Sequence, residues 1–277
     1  MPELPDLVYI EKRLKSDLAE RKIARVEVKQ PIVIRVMLRQ SFEEALSSKQ
    51  IKAVERHGPF LKISINSLQM IIHFMLSGRF QLQEPATKRI GNICFTLYLD
   101  NALALHYSDN KKMGRVYLIE ENRYEQIPGY TEQGVDILSR DFTFERFAKL
   151  IEKKRNQVRV FIMDQRSLSA IGNGYADEIL FAAGIHPKTL CSQLSESDIE
   201  RLYNSIKEVI NWGITEVARA AEPVEVKVRG HMKVRNRKGR TCTLCGATIR
   251  RVGVLGYDAF FCPRCQPPLR EQFINWT

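Results

Sequence analysis

The sequence has no long apolar run and no targeting segment at its start. Nowhere do its 277 residues approach the roughly 18 consecutive apolar residues that a membrane-spanning helix needs. The first residues have neither the basic start nor the apolar stretch of a secretory signal peptide. The sequence therefore predicts a cytoplasmic protein without a membrane partner.

The sequence has fewer acidic than basic residues. Forty-three Lys and Arg stand against 32 Asp and Glu, which gives a formal net charge of +11 and a pI near 9.4. The hydrophobic content of 44% is enough for folded cores. The excess of positive charge favours a polyanionic partner, although a basic protein without such a partner has the same composition.

Cysteine is scarce, and four of the six cysteines lie in two pairs near the end of the chain. Cys242-x2-Cys245 and Cys262-x2-Cys265 are separated by sixteen residues, the spacing of a structural zinc ribbon. Four thiolates leave a Zn²⁺ ion no open position for water, so one ion would fold the module and do no chemistry. Two disulfides or a redox pair are the alternatives.

Hydrophobic periodicity divides the chain into three parts. Helical spacing begins at Asp6 and continues to Leu18, and short alternating runs between about residues 22 and 118 predict an antiparallel sheet. Helical spacing returns until about residue 220, and a basic stretch leads into the cysteine pairs. The predicted fold class is α+β multidomain, with an N-terminal helix plus antiparallel β-sandwich, a helical domain and a C-terminal zinc ribbon. The expected domains are 1–120, 141–222 and 223–277, with a linker at 121–140.

The opening stretch MPELPDLVYI contains two prolines, a glutamate and an aspartate. Removal of the initiator Met would expose the secondary amine of Pro2, which can add to an aldehyde carbon and form an iminium. Glu3 beside it can move protons, and the start of the helix near Pro5 favours an anionic phosphate. The stretch therefore indicates amine catalysis, unless its prolines simply start a helix.

Three segments of the chain resemble the formamidopyrimidine-DNA glycosylase and endonuclease VIII family of DNA-repair enzymes. They are Pro-Glu-Leu-Pro at the start, MDQRSLSAIGNGYADEILFAAGIHP from Met163 to Pro187, and a finger that ends in CPRCQ. The resemblance covers nearly the whole chain in the right order. It implies a β-sandwich led by a helix, a helix-two-turn-helix domain and a zinc finger, and a monomer that binds double-stranded damaged DNA between its domains.

The same resemblance implies the catalytic roles. Pro2 would attack C1′ of a damaged nucleotide flipped out of the duplex and release the base. Glu3 would protonate the sugar ring oxygen, and the iminium would promote β-elimination, with or without a δ-elimination after it. Asp6 stands where the family usually has a glutamate and keeps the carboxylate.

The resemblance also implies three DNA contacts in the helical part. Asn173 and Tyr175 belong to the IGNGY segment, which in the family holds the phosphates around the lesion. A helix cap is a second interpretation of Asn173. Arg159 lies where the family has a DNA-binding lysine, a change that keeps the positive charge.

The segment that fills the space left by a flipped base departs from the family pattern. The residues that match the family's wedge of Met, Arg and Phe are Leu76, Lys112 and Met113. Lysine lacks the fork of hydrogen-bond donors that arginine offers to the orphan base. We therefore expect recognition of an opposite cytosine to be relaxed.

Two further positions depart from the family at phosphate contacts. Pro59 replaces a lysine that assists catalysis, and the spacing alone does not assign its role to the nearby Lys62. Tyr257 replaces an arginine of the finger that binds the lesion phosphates; it can donate one hydrogen bond or stack on a base.

Three functions follow from these patterns. The first is a glycosylase with abasic-site lyase activity on oxidised bases, with abasic sites and oxidised pyrimidines preferred over 8-oxoguanine. The second is a catalytically weak binder of abasic, branched or distorted DNA. The third, an RNA-associated zinc-ribbon protein, follows from charge and cysteines alone.

Overall fold

The computed structural model describes residues 1–87 and 91–268. The chain forms two compact units, one of Met1–Glu132 with Val217–Val228 and one of Gln133–Glu216 with the chain from Arg229 onwards. Within the described ranges, no helix combines the length and the apolar character that crossing a bilayer requires. The domain bounds expected from the sequence stay predictions.

The first unit begins with helix α1 (Leu4–Leu18). Pro5 lies in its first turn, where a missing N–H leaves no helical hydrogen bond unmade. The apolar side chains at helical spacing, Leu7, Ile10, Leu14 and Leu18, are buried, as the sequence predicts. Burial of this stripe fixes the start of the chain against the rest of the unit.

Among the described residues of the first unit, nine strands and a short helix follow α1. They are β1 (Ile23–Val28), β2 (Ile34–Val36), α2 (Phe42–Leu46), β3 (Ile51–His57), β4 (Phe60–Ile65), β5 (Leu68–His73), β6 (Gly78–Gln83), β7 (Ile93–Leu99), β8 (Ala104–Asp109) and β9 (Arg115–Glu120). One sheet has the order β1-β7-β8-β6, and the other has the order β2-β9-β5-β4-β3. The two-sheet architecture agrees with the predicted fold class.

One strand pairing differs from the antiparallel sheet expected from the sequence. Strand β2 pairs with β9 in parallel, with Ile34 opposite Val116. A parallel pair needs a long connection, and the many residues between these strands supply it. The alternation of apolar residues along a strand does not indicate whether the strand pairs in parallel or antiparallel with its neighbour.

The predicted linker is packed at its centre. Ile127 and Tyr130 are buried in a cluster of the first unit. The other members of this cluster are Phe60, Ile71, Tyr117 and Ile119. The segment lacks a regular period because it follows the sheet as irregular structure, and its apolar residues are nevertheless part of the core.

The second unit contains helices and a β-hairpin. Its elements are α3 (Phe144–Glu152), α4 (Val158–Met163), α5 (Asn173–Ala182), α6 (Glu196–Ala220, whose last turn belongs to the first unit), β10 (Arg250–Val254) and β11 (Tyr257–Phe261). A shared apolar cluster joins Phe181 of α5 to Val234, Ile249 and Phe260 of the cysteine module. The cysteine module is therefore packed on α5 and is not joined to it by the chain alone.

Candidate functional site

The first residues of the chain form one wall of a small pocket in the first unit. Pro2, Glu3 and Asp6 are all buried. The backbone N–H of Glu3 donates to Oδ2 of Asp6 at 2.8 Å, and the N–H of Leu7 donates to the carbonyl of Glu3 at 3.0 Å. These bonds hold residue 3 at the start of α1, and they give the Asp6 carboxylate a structural partner that the sequence did not predict.

The segment 221–228 also contributes to the lining of this pocket. Its lining residues include Val224, Glu225, Val226 and Lys227, together with Pro2. Tyr9 Oη donates to the carbonyl of Glu222 at 2.7 Å, and Arg79 Nη1 donates to the carbonyl of Glu225 at 3.1 Å. The side chains of the β-sandwich and α1 therefore fix this segment beside the first residues of the chain.

Burial shapes the protonation of the pocket. Burial, as the largest cause, and the neighbouring Lys227 together lower the pKa of the amino group at Met1 from 8.0 to about 5, while the carboxylates of Glu3 and Asp6 oppose the change. Burial also lowers the pKa of His73 to about 4, so this imidazole is neutral at pH 7. A neutral amine is the nucleophilic form, and the pocket favours it.

Pro59 stands where the family has a lysine, and Lys62 does not take the place of that lysine. Nζ of Lys62 lies 2.8 Å from Oε2 of Glu55, its partner on the neighbouring strand. Lys62 is engaged in this cross-strand ion pair and is not among the residues that line the pocket. Arg79 and Lys227 are cations that do line the pocket. Lys227 belongs to no sequence motif and is 225 positions from Pro2, so sequence reasoning missed it.

The predicted wedge residues lie on two exposed turns of the first unit. Leu76 is 51% exposed, Met113 is 43% exposed and Lys112 is also exposed. Met75 and Lys112 have φ of 48° and 52°, a conformation that side chains rarely adopt and that costs about 1–3 kcal/mol at each residue. Such strain is typical of turns that present residues for binding.

Asp109 connects the two wedge turns. Its Oδ1 accepts hydrogen bonds from the Ser77 hydroxyl and from the N–H of Lys111 (3.1 Å), and its Oδ2 accepts from the N–H of Gly114 at 2.6 Å. The carboxylate is fully buried. One side chain thus sets the spacing between the turn of Leu76 and the turn of Met113, and the sequence offered no signal for it.

Replacement of Asp109 by Asn should loosen both wedge turns. An amide keeps one acceptor oxygen and places an NH₂ group against N–H donors, so we expect a loss of about 1–3 kcal/mol in the free energy of unfolding. Weaker binding to abasic DNA should accompany it. Urea unfolding and a DNA-binding titration measure the two effects. Asp100→Asn is the matched control, because exposed Asp100 also accepts a backbone N–H, from Lys22; equal losses in both variants would contradict the role of Asp109.

Arg159 is buried, which differs from the exposed DNA contact expected of it. It is 1% exposed, and its Nε donates to Oδ1 of Asp177 at 2.8 Å. Its Nη2 donates to Oδ1 of Asn173 at 2.8 Å and to the carbonyl of Asp258 at 3.1 Å. The guanidinium thus orients Asn173, the first residue of α5, and has no surface to offer a phosphate.

Tyr175 is also buried and supports the IGNGY segment from within. Its hydroxyl lies 3.2 Å from Nε2 of His231. A Cβ atom at Gly213 of α6 would come within 2.3 Å of the Tyr175 ring, so glycine is required at that position for the ring to fit. Tyr175 therefore fixes the segment, whereas the sequence indicated a direct DNA contact.

Two adjacent carboxylates of α5 bind the cysteine module. Oδ2 of Asp177 accepts from Arg235 Nη1 at 2.8 Å and from the N–H of Phe260 at 3.2 Å. Glu178 accepts the N–H groups of Lys233, Val234 and Arg235, each at 2.9 Å. Both carboxylates are buried. Both carboxylates lie in the segment from Met163 to Pro187 that resembles the family, but only the structure reveals that their partners are in the cysteine module.

Tyr257 is an exposed residue of the hairpin, as its proposed DNA contact requires. It is the first residue of β11 and is 59% exposed. Its neighbour Asp258 offers its carbonyl oxygen to both Arg159 and Arg235. The arginines that orient Asn173 and bind Asp177 thus also hold the hairpin close to its turn, next to Tyr257.

The four paired cysteines have the geometry of a zinc site. Sγ of Cys242 lies 3.9 Å from Sγ of Cys265, and Sγ of Cys245 lies 3.4 Å from Sγ of Cys262. All four sulfurs lie within 4.8 Å of one another. A tetrahedral ion with Zn–S bonds of about 2.3 Å separates its sulfurs by about 3.8 Å. The cluster therefore fits one structural Zn²⁺ ion, as the sequence predicts.

Removal of this zinc should unfold the cysteine module. Zinc binding by such modules contributes about 10–16 kcal/mol, so a strong chelator should abolish the order of the β10–β11 hairpin and weaken DNA binding. Metal analysis, amide hydrogen exchange and a DNA titration measure the result. Cys94→Ala, which changes a cysteine outside the cluster, should keep one zinc per chain. Undiminished DNA binding after complete zinc loss would contradict this role.

Comparison with known proteins agrees with this architecture. Three family models match: the formamidopyrimidine-DNA glycosylase N-terminal domain at residues 1–116, the formamidopyrimidine-DNA glycosylase H2TH domain at 133–222 and the zinc finger found in FPG and IleRS at 239–268. The formamidopyrimidine-DNA glycosylase of Pelotomaculum thermopropionicum is 30% identical, with 96% of this chain and 99% of the relative covered. That of Moorella thermoacetica is 32% identical, with 91% and 94% covered.

Solved structures give the same result. Lactococcus lactis Fpg in complex with abasic-site DNA has a TM-score of 0.87 at 25% identity, covering 96% of this chain and 99% of that one. Its complex with DNA that contains an oxidised pyrimidine also has a TM-score of 0.87, at 27% identity and with 96% and 100% covered. The fold and the four-cysteine site define the class of helix-two-turn-helix DNA-repair proteins with a zinc finger. Within that class, this chain belongs to the formamidopyrimidine-DNA glycosylase family of DNA glycosylases, which confirms the resemblance.

Proposed function

We propose that this chain is a bifunctional DNA glycosylase and abasic-site lyase that acts as a monomer on double-stranded damaged DNA. The observation that carries the proposal is the burial of Pro2 and Glu3 at the start of the chain, where Pro2 lines a small pocket and burial lowers the pKa of the Met1 amino group. A surface terminus without a chemical role has no need of such burial.

The reaction requires removal of Met1, which makes the Pro2 nitrogen the terminal amine. This nitrogen attacks C1′ of the flipped nucleotide, the bond to the base breaks, and the base leaves with a proton. Glu3 donates a proton to the ring oxygen as the sugar opens, and an iminium joins Pro2 to C1′. Loss of a proton from C2′ then expels the 3′ phosphate as β-elimination; loss of the 5′ phosphate is the δ step. Asp6 acts by holding Glu3 through its backbone.

DNA contact is assigned to exposed or phosphate-facing residues of both units. Leu76 and Met113 fill the space left by the flipped nucleotide, and Lys112 contacts the opposite strand. Asn173, oriented by buried Arg159, contacts a phosphate beside the lesion. Tyr257 stacks on a base or donates one hydrogen bond. Tyr175 supports this surface without touching DNA.

The lesion class follows from the wedge. Lys112 lacks the bidentate donors that would recognise an opposite cytosine. We therefore expect that activity is not restricted to 8-oxoguanine opposite cytosine. Complexes of the Lactococcus lactis protein contain abasic-site DNA and DNA with an oxidised pyrimidine. We assign abasic sites and oxidised pyrimidines as the preferred substrates of this chain.

Incision assays on three duplexes test this function. Each duplex carries a single abasic site, an oxidised pyrimidine or an 8-oxoguanine opposite cytosine, and the products are resolved by gel. We expect incision of the first two to be faster than that of the third. Product ends with a 3′ unsaturated aldehyde report β-elimination, and ends with a 3′ phosphate report β,δ-elimination.

A second candidate function is a catalytically weak binder of abasic, branched or distorted DNA. Pro59 and Tyr257 favour it, because each replaces a cationic side chain at a phosphate contact. Tight binding to all three duplexes without incision of any would establish the binder and overturn the enzyme.

A further inference from the structure

Tyr107 of β8 is fully buried at the base of the two wedge turns. Its ring packs among aromatic neighbours of the same unit. The centroid of the ring lies 5.2 Å from that of Phe95, 5.5 Å from that of Phe80 and 6.3 Å from that of Phe74. Close packing of rings leaves such a side chain little freedom to move. The aromatic cluster therefore holds the Tyr107 hydroxyl at a fixed point of the first unit.

The Tyr107 hydroxyl lies against the glycine that follows each wedge turn. Gly78 follows the turn of Leu76, and Gly114 follows Met113. A Cβ atom at either glycine would come closer than 3.0 Å to the hydroxyl oxygen, a distance that real Cβ atoms do not show. Both positions thus need glycine for the oxygen to fit. The hydroxyl therefore separates the backbones of the two turns.

This hydroxyl makes no hydrogen bond with any residue that the structure describes. The nearby carboxylate of Asp109 accepts from the N–H of Gly114 instead. Burial of an unpaired hydroxyl is unfavourable, whereas phenylalanine at this position would keep the aromatic packing without that penalty. The hydroxyl therefore does not stabilise the free protein, and the feature that distinguishes it is its contact with two glycines.

We propose that the Tyr107 hydroxyl is a spacer between the wedge turns, which makes Tyr107 a positioning residue for the insertion of Leu76 and Met113 into DNA. The inference rests on the proposed function, in which these two side chains fill the space left by a flipped nucleotide. Asp109 ties the turns together by hydrogen bonds, and the hydroxyl limits how closely they approach. A tie and a spacer together fix one distance between the inserted side chains.

Tyr107→Phe distinguishes a spacer from an ordinary stabilising residue. In the full-length protein the urea midpoint should be unchanged or higher, because the lost hydroxyl had no partner. Wedge insertion is measured by the fluorescence of 2-aminopurine placed opposite a borohydride-reduced abasic site, which rises when that base loses its stacking. We expect this rise to need about tenfold more protein, and incision at an unreduced abasic site to slow by about the same factor, since a misplacement of about 1 Å can cost up to about 10²-fold.

Tyr98→Phe is the matched control for this change. The Tyr98 hydroxyl donates to Oε2 of Glu27 at 2.7 Å, so its loss should lower the urea midpoint slightly and leave insertion unchanged. Insertion and incision at the parental level in Tyr107→Phe would overturn the spacer. A urea midpoint of Tyr107→Phe below that of the parent protein would also overturn it, because the hydroxyl would then stabilise the free protein.

A pair of double variants tests the contact itself. Gly114→Ala should lower the urea midpoint, and Tyr107→Phe in the same chain should restore part of the loss, because it removes the oxygen that the new Cβ meets. Gly78→Ala is the control, since its Cβ would also lie within 3.0 Å of the Phe74 carbonyl oxygen, and Tyr107→Phe should not rescue it. Absence of rescue at Gly114 would contradict the contact.

Failure of the spacer and failure of the proposed function have different signatures. A parent protein that gives the 2-aminopurine signal but incises no duplex would count against the proposed function alone. A parent protein that gives no fluorescence rise would overturn the wedge and, with it, the spacer.

Discussion

A non-cleavable tag ahead of Pro2 should abolish strand cleavage at an abasic site and leave binding to the same duplex intact. The tag converts the secondary amine into an amide, which has no lone pair available to attack C1′. The same tag at the C-terminal end is the matched control, since it adds equal mass and charge without touching the amine. Gel assays of incision and a binding titration measure the two properties separately.

Glu3→Gln refines this expectation. The amide cannot donate the proton that opens the sugar ring, so cleavage should fall by about 10²–10⁴-fold, the usual contribution of a positioned acid or base. Melting temperature should stay close to that of the parent protein. Cleavage at the parental rate by the N-terminally tagged protein would contradict the assignment of Pro2, and cleavage at the parental rate by Glu3→Gln would contradict that of Glu3.

Replacement of Asp177 by Ala should have the largest effect on stability. The change leaves the guanidinium groups of Arg159 and Arg235 without their shared carboxylate, and Arg159 is almost fully buried. Removal of one partner of a buried ion pair costs about 3–5 kcal/mol. Because Arg159 also orients Asn173, affinity for DNA should fall with the stability of the second unit.

Asp258→Ala is the control for Asp177→Ala. The Asp258 side chain also pairs with an arginine, Arg251 at 3.1 Å, but both partners are about half-exposed. Pairs of this kind contribute about 0–1 kcal/mol. Urea unfolding of the two variants should therefore differ by several kcal/mol in the free energy of unfolding. Similar losses in both variants would show that the buried ion pairs of Asp177 contribute no more to stability than the exposed pair of Asp258.

The sequence was most informative where function depends on adjacent residues. The two CxxC pairs define zinc ligands by spacing alone, and the sulfur positions agree with one ion. The start of α1 could likewise be predicted from Pro5, Asp6 and the apolar stripe behind them, because capping and periodicity are local properties.

The sequence was least informative about side chains whose partners are distant in the chain. Arg159 and Tyr175 lie in or near recognised motifs, yet whether they face DNA or the core depends on packing with Asp177 and Gly213. Lys227 is brought to the pocket by the path of the segment after α6, which no periodicity encodes. A motif predicts which residues matter, whereas their tertiary partners decide what each of them does.

Trapping with borohydride tests the central claim most directly. Untagged protein is mixed with duplex DNA that carries one abasic site, borohydride is added, and the covalent product is digested and mapped by mass spectrometry. We expect a reduced adduct on the nitrogen of Pro2, present in the parent protein and absent when a tag precedes that residue. Tight binding without an adduct, or an adduct on a lysine instead of residue 2, would contradict it.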